Sequence, residues 1–154
     1  MNERFALNQL PCHWIDKRFN VYRFLSNTNK VTPMYRHGAP PMVLSPAIPI
    51  LRIFSVEKAR EFYLDFLGFQ VDWEHRFEPD LPLYMQVRRS GLTLHLSEHH
   101  GDATPGSAVF IPVEDIDALQ RELIAKQYGY ARPGVEAVGW GREMQVADPF
   151  GNRL

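Results

Sequence analysis

Residues 92–100 read LTLHLSEHH, which places three imidazoles and a carboxylate, His95, Glu98, His99 and His100, within six positions. Imidazoles and carboxylates are common ligands of first-row divalent metals. The same groups also serve as hydrogen-bonding walls for an organic ligand. Which chemistry is open depends on which side chains share a face. Alternation along LTLHLS puts Leu92, Leu94 and Leu96 on one side and Thr93, His95 and Ser97 on the other. The run then enters GDATPG, a turn, so His99 and His100 are expected to face solvent past the strand end.

No other set of groups competes for a catalytic role. The chain has no G-x-S-x-G and no glycine-rich phosphate loop, and its one cysteine, Cys12, has no histidine partner at a plausible site. Carboxylates stand at Glu98, Asp102 and Glu143, but their spacing does not set two of them across a substrate.

The net charge of −1 conceals an asymmetry. Residues 1–42 carry six basic against two acidic side chains, and the remainder carries eleven against sixteen. An acidic body argues against nucleic acid as the main partner and favours a cationic one. A lone cysteine suits a reducing compartment. No apolar run approaches the roughly 18 residues that span a bilayer. The stretch MNERFALNQLPCHWIDKRF lacks a hydrophobic core followed by a small-residue cleavage site. A cytoplasmic protein with no membrane partner is the expectation.

The elements that must position these groups begin after residue 42. Residues 1–42 scatter their aromatics without a period and close on HGAPPMVLSP, so they read as a poorly ordered basic extension, or as sequence upstream of a start at Met42. From Ala47 the pattern tightens. AIPILRIF reads as a strand. SVEKAREFYLDFLGF reads as a helix capped by Ser55, with Val56, Ala59, Phe62, Tyr63, Phe66 and Leu67 as its apolar stripe and Gly68 at its end. FQVDWEHRF, LYMQVRR and LTLHLSE read as three further strands.

That order then recurs. SAVFIPV predicts a strand, and EDIDALQRELIAKQ a helix burying Ile116, Leu119, Leu123 and Ile124. GYARPGVEAV, GREMQVADP and GNRL predict three more strands, the last one clipped. The chain therefore reads as α+β, with two tandem βαβββ modules, 47–98 and 106–154, inside a domain of residues 43–154. One helix per module covers one sheet face, so the other face must curve around a ligand or pack on a partner.

Alternation assigns those second faces. Leu83, Met85 and Val87 lie opposite Tyr84, Gln86 and Arg88, and Met144 and Val146 lie opposite Glu143, Gln145 and Ala147. Tyr84, His95 and Gln145 mix aromatic and hydrogen-bonding character, as cavity walls do. Trp73 is in register with Val71 and reads either as core or as wall. Trp140, between two glycines in GWG, has little of its own element to bury it.

AIPILRIFSVEKAREFYLDFLGF, LYMQVRRSGLTLHLSEH and above all WGREMQVADPFGNRL resemble the vicinal-oxygen-chelate superfamily, the glyoxalase, bleomycin-resistance and extradiol-dioxygenase group. The resemblance covers residues 47–154. FY followed by LGF, together with DPFGN, makes a fairly specific signature. The WGxxM and DPxG runs are most similar to the bleomycin-resistance proteins. This implies curved mixed sheets around a dry cleft, in a homodimer that sequesters a cationic glycopeptide antibiotic without chemistry. The residues this would recruit are Phe54, Trp73, Tyr84 and Trp140 as stacking or apolar walls, and His95, Glu143 and Gln145 for hydrogen bonds or charge.

The alternative from the same resemblance is a metal-dependent lyase of the glyoxalase I type, or an extradiol dioxygenase, using nickel, zinc or iron. Its ligand positions are implied to fall at Ile48, Ala108, His95 and a site beyond DPFGN. Ile48 and Ala108 cannot coordinate, and the chain reaches Leu154 before the last position. His95 alone does not hold a catalytic metal, which needs about three protein ligands. The expectation is therefore a binder with no cofactor.

Overall fold

In the computed structural model, which describes residues 42–154, the first helix starts where Ser55 can cap it. Ser55 is extended, and its Oγ accepts from the Lys58 N–H at 3.2 Å, satisfying one of the orphan donors of a first turn. All of the expected basic extension except Met42 lies outside the described residues. The helix runs as α1, Val56–Ala59, and widens directly into a π-helical segment, Arg60–Phe66. There the Leu67 N–H reaches back five residues to the Phe62 carbonyl at 2.8 Å. Gly68, at φ +73°, ends it, and the Phe69 N–H returns to the Tyr63 carbonyl at 2.9 Å. The expected stripe is the observed one, with Ala59, Phe62, Tyr63, Phe66 and Leu67 all buried.

That stripe covers a four-stranded sheet built from β1 (Ile50–Arg52), β2 (Gln70–His75), β3 (Tyr84–Arg89) and β4 (Leu92–Ser97). The order is β1-β4-β3-β2, with β1 parallel to β4 and the other pairs antiparallel. Leu51, Met85, Val87, Leu94 and Leu96 point under the helix, each at most 1% exposed. At about 1.5–3 kcal/mol per fully buried side chain, this layer is the main source of the module's stability. A helix on one face leaves the other face of the sheet uncovered by its own module.

The second module repeats the order in abbreviated form. Ser107–Val109 lies parallel to residue 153, with Arg153 N–H to Ser107 O at 2.9 Å and Val109 N–H to Arg153 O at 2.8 Å. Residues 152–154 turn back antiparallel on 146–148. This matches β1 beside β4 beside β3. The helix α2 is Ile116–Ala125, capped by Asp115, and β5 (Glu136–Val138) and β6 (Gly141–Glu143) form a separate hairpin.

Several expectations shrink here. SAVFIPV is laddered only to Val109; Phe110 is 80% exposed, and Pro112 has no N–H with which to continue. GYARPGVEAV contracts to three strand residues past Pro133. On α2 Leu123 is buried, but Ile124 is 42% exposed. Residues in and just after α2 lean on the first module. Lys126 Nζ donates to the Phe66 carbonyl at 2.8 Å, Arg89 pairs with Glu122 at 2.6 Å, and Tyr128 stacks on Phe66 at 4.6 Å.

DPFGN locks the two modules together. The buried Asp148 carboxylate accepts from the Phe150 and Asn152 backbone N–H groups through Oδ1, at 2.9 and 2.7 Å. Its Oδ2 accepts from Asn152 Nδ2 and from Tyr63 Oη, each at 2.7 Å. Asn152 Nδ2 also reaches the Arg52 carbonyl at 2.9 Å, and Gly151 supplies the φ of +88° that the turn needs. Burial, then the Asp148 charge, pushes the Tyr63 hydroxyl well above the usual tyrosine range, so it remains a donor. Among the described residues no helix is long and apolar enough to cross a membrane.

Candidate functional site

The uncovered face of the first sheet is assembled by a slip in β2. Val71 pairs with Val87, as simple alternation requires, but Trp73 pairs with Gln86 instead of Met85. A β-bulge intervenes, so Asp72 and Trp73 both stand opposite Gln86. The extra residue turns Trp73 away from the core face of Val71 and onto the face of Tyr84 and Gln86. The same slip sends Glu74 to the helix side, where it pairs with Arg60.

Three of the seven residues expected to line a site come together on this face. Trp73 stacks on Tyr84 with centroids 5.9 Å apart and planes 8° from parallel. Both rings meet His95 edge-on, at 5.5 and 5.2 Å. Trp73 is 43% exposed and His95 is 9% exposed. His99 was expected to face solvent; it is half-buried, with its ring near Tyr84 and Phe77. His100 is exposed as expected.

Beneath the rings runs a hydrogen-bonded chain. Arg88 holds Asp72 Oδ1 at 3.1 Å. Gln86 Nε2 donates to Asp72 Oδ2 at 2.8 Å, and Gln86 Oε1 faces His95 Nε2 at 2.9 Å. Tyr84 Oη lies 2.8 Å from His95 Nδ1. Burial holds the His95 imidazole below its ordinary pKa, so it is neutral near pH 7.

The other four expected residues lie outside this cluster. Phe54, 56% exposed, sits under the Arg52 guanidinium and edge-on to Phe150 at 6.1 Å. It lines an open depression of about 350 Å3 with Arg52, Arg76 and Glu98. Trp140 is 79% exposed at the turn of the β5–β6 hairpin, Glu143 is paired with Glu136 across that hairpin, and Gln145 is exposed beyond it. A second depression of about 370 Å3 lies by Gly68, Gln70 and Arg88. Both are open to solvent.

The residues do not compose a divalent-metal site of the implied kind. Ile48 and Ala108 carry no ligand atom, and both His95 nitrogens already face hydrogen-bond partners. Among the described residues no three His, Cys, Asp or Glu side chains converge. Asp72, Gln86 and Arg88 are the functional-looking residues that sequence reasoning left without a role. Alternation did place Gln86 and Arg88 on the correct face; the signal for Asp72 lay in a bulge that has no glycine to announce it.

Residues 38–154 match the family model described as glyoxalase superfamily protein. The bleomycin-binding protein from bleomycin-producing Streptomyces verticillus, solved in complex with copper(II)-bleomycin, is 33% identical. That match covers 73% of this chain and 93% of the other at a TM-score of 0.54. A glyoxalase/bleomycin resistance protein from Streptomyces sp. CB03234 is 25% identical over 71% of this chain and 96% of the other, with a TM-score of 0.55. An antibiotic binding protein from the same strain, 24% identical over 73% and 93% at a TM-score of 0.56, shares the fold. No curated protein matches the sequence significantly.

Proposed function

The chain belongs to the glyoxalase superfamily, and on that footing we propose that it binds and sequesters a small planar, cationic ligand without transforming it, with a bleomycin-type antibiotic as the leading candidate. The observation that carries this reading is the Trp73–Tyr84 stack with His95 edge-on to both. A half-exposed indole lying parallel to a phenol offers a flat π surface to a planar group. It also attracts a cation placed over it. The excess of acidic side chains beyond residue 42 adds a long-range attraction for a cation. A structural neighbour at 33% identity binds copper(II)-bleomycin, which supports the choice of ligand.

A homodimer is part of the proposal. Phe110 and Trp140 are about four-fifths exposed, and Phe54, Phe77 and Trp73 about half. A second copy laid over these rings would remove apolar surface from water and enclose the open face.

The test is a titration of the full chain, stripped of metal by chelation, with bleomycin while tryptophan emission is followed. Saturable quenching that Trp73→Phe abolishes supports the reading. A flat titration, or quenching that survives that substitution unchanged, counts against it.

A further inference from the structure

Among the described residues, Arg52 is the only half-buried arginine or lysine without a carboxylate partner. Arg60, Arg76 and Arg89, also half-buried, pair with Glu74, Glu98 and Glu122. Arg52 is nevertheless held in place. Asn152 Nδ2 donates to its carbonyl at 2.9 Å. Its Nη1 donates to the Ser97 carbonyl on β4 at 3.2 Å, and the guanidinium lies over the Phe54 ring, 4.9 Å from the centroid. Stacking uses the flat face of a guanidinium and leaves the N–H groups in its plane available. Of its five N–H groups, the Ser97 carbonyl takes one.

This guanidinium lines the open depression of about 350 Å3 that it shares with Phe54, Leu81 and Pro82. The other buried charges of that lining are already matched. Glu98 Oε2 accepts from the Leu83 N–H at 2.8 Å and faces Arg76 at 3.5 Å, while Arg76 also donates to the Leu81 carbonyl. Asp80 is exposed, so water screens it. What is left is a fixed, unmatched cation beside a half-exposed ring and two apolar side chains. A carboxylate can take two parallel N–H bonds from such a fork. A flat ring attached to it finds apolar surface on Phe54, Leu81 and Pro82. Glu98 and Asp80 in the same lining disfavour a second negative charge.

We propose that this depression is a second ligand site that takes a small planar monocarboxylate, with Arg52 as the anion anchor and Phe54 as the apolar wall. It shares no lining residue with the Trp73–Tyr84 stack and does not depend on the receptor reading.

Benzoate and benzamide, alike in shape and different in charge, test this on the full chain. At about 0.15 M salt the field of distant acidic side chains is screened beyond about 8 Å. The Arg52 Nε–H and Phe54 ring signals are followed by NMR through each titration. Both should shift saturably with benzoate, at an affinity about tenfold or more above that of benzamide, as a charge-assisted hydrogen bond would give. Terephthalate, with its second charge, should bind no better than benzoate.

Arg52→Gln should collapse the ratio of benzoate to benzamide affinity toward one. Arg52→Lys keeps the charge, loses the fork and should restore only part of it. Phe54→Leu alters a side chain that is 56% exposed, so folding is little affected; it should weaken both probes and leave their ratio in place. Equal affinity for the two probes, shifts that miss Arg52 and Phe54, or a ratio that survives Arg52→Gln overturns the inference. A flat bleomycin titration bears on the receptor reading alone.

Discussion

Trp73 lies ring over ring on Tyr84 although strict alternation from Val71 would send it to the opposite side of the sheet. One added residue, Asp72, produces that placement, and the flanking register 71↔87 and 75↔84 is otherwise regular. Deleting Asp72 should therefore close the ladder with Trp73 still opposite Gln86, keeping the stack on Tyr84 but removing the carboxylate held by Gln86 and Arg88. The expected outcome is a change in stability of no more than about 1 kcal/mol in denaturant unfolding, with any ligand-dependent fluorescence retained. Loss of that fluorescence in the deletion variant would show that Asp72 does more than set the register.

Trp73→Ala separates binding from folding. The indole is 43% exposed, and its contribution to stability is chiefly the stack on Tyr84, about 0.5–1.5 kcal/mol. Affinity for planar cations should fall about tenfold or more, since the stacking surface is gone. Unfolding curves and a paired binding isotherm check this. A large drop in stability with unchanged affinity would reverse the assignment.

Tyr63 and Asp148, 85 positions apart and 2.7 Å from each other, join the first helix to the DPFGN turn. Tyr63→Phe removes the hydroxyl but leaves the buried carboxylate three other donors, so a cost of about 1–3 kcal/mol is expected. Asp148→Ala leaves several donors unmatched and should cost more. The raised Tyr63 pKa has a sign as well. The folded chain resists deprotonation, whereas the unfolded tyrosine ionises near pH 10. Stability from this group is intact below that value and declines as pH climbs above it. Denaturation midpoints between about pH 9 and 11 should fall more steeply for the parent than for Tyr63→Phe.

His95 gives the opposite slope. Its folded pKa lies below the ordinary histidine value because of burial, while the unfolded ring protonates near pH 6.5. Below that pH the unfolded state takes up the proton first, so stability present at neutral pH is lost as pH falls toward the folded pKa. His95→Gln should flatten the midpoint-versus-pH curve between about pH 7 and 5. An equal slope in parent and variant would assign the acid sensitivity elsewhere.

The first module was legible because its signals are local and redundant. Ser55, the six-residue stripe and Gly68 mark one helix three times over, and Leu-Met-Val alternation in β3 and β4 names the buried face without reference to any neighbour. The site was legible only where alternation held, at Tyr84 and His95. A bulge shifts register by one residue and leaves no compositional trace, so Trp73 stayed ambiguous and Asp72 went unnoticed. In the second module, apolar runs such as SAVFIPV announce strands, yet a strand exists only where a neighbour pairs with it. Phe110 to Val113 find none among the described residues. The same gap explains why Phe54, Trp140, Glu143 and Gln145 do not reach the aromatic cluster in a single chain.

An apolar ring four-fifths exposed, at Phe110, beside Val113 at 44%, is an unfavourable surface for a monomer in water. If a second copy covers it, burial of the ring contributes on the order of 1.5–3 kcal/mol per subunit, and a charge placed there must be desolvated on association. Phe110→Glu should then convert a dimer to a monomer in sedimentation equilibrium and weaken ligand binding in step, because the open face loses its cover. Phe110→Leu should preserve both. A parent chain that sediments as a monomer at about 100 μM, well above the dissociation constant of a standard-sized interface, would refute closure by a second copy. The ligand would then have to bind a face that stays open.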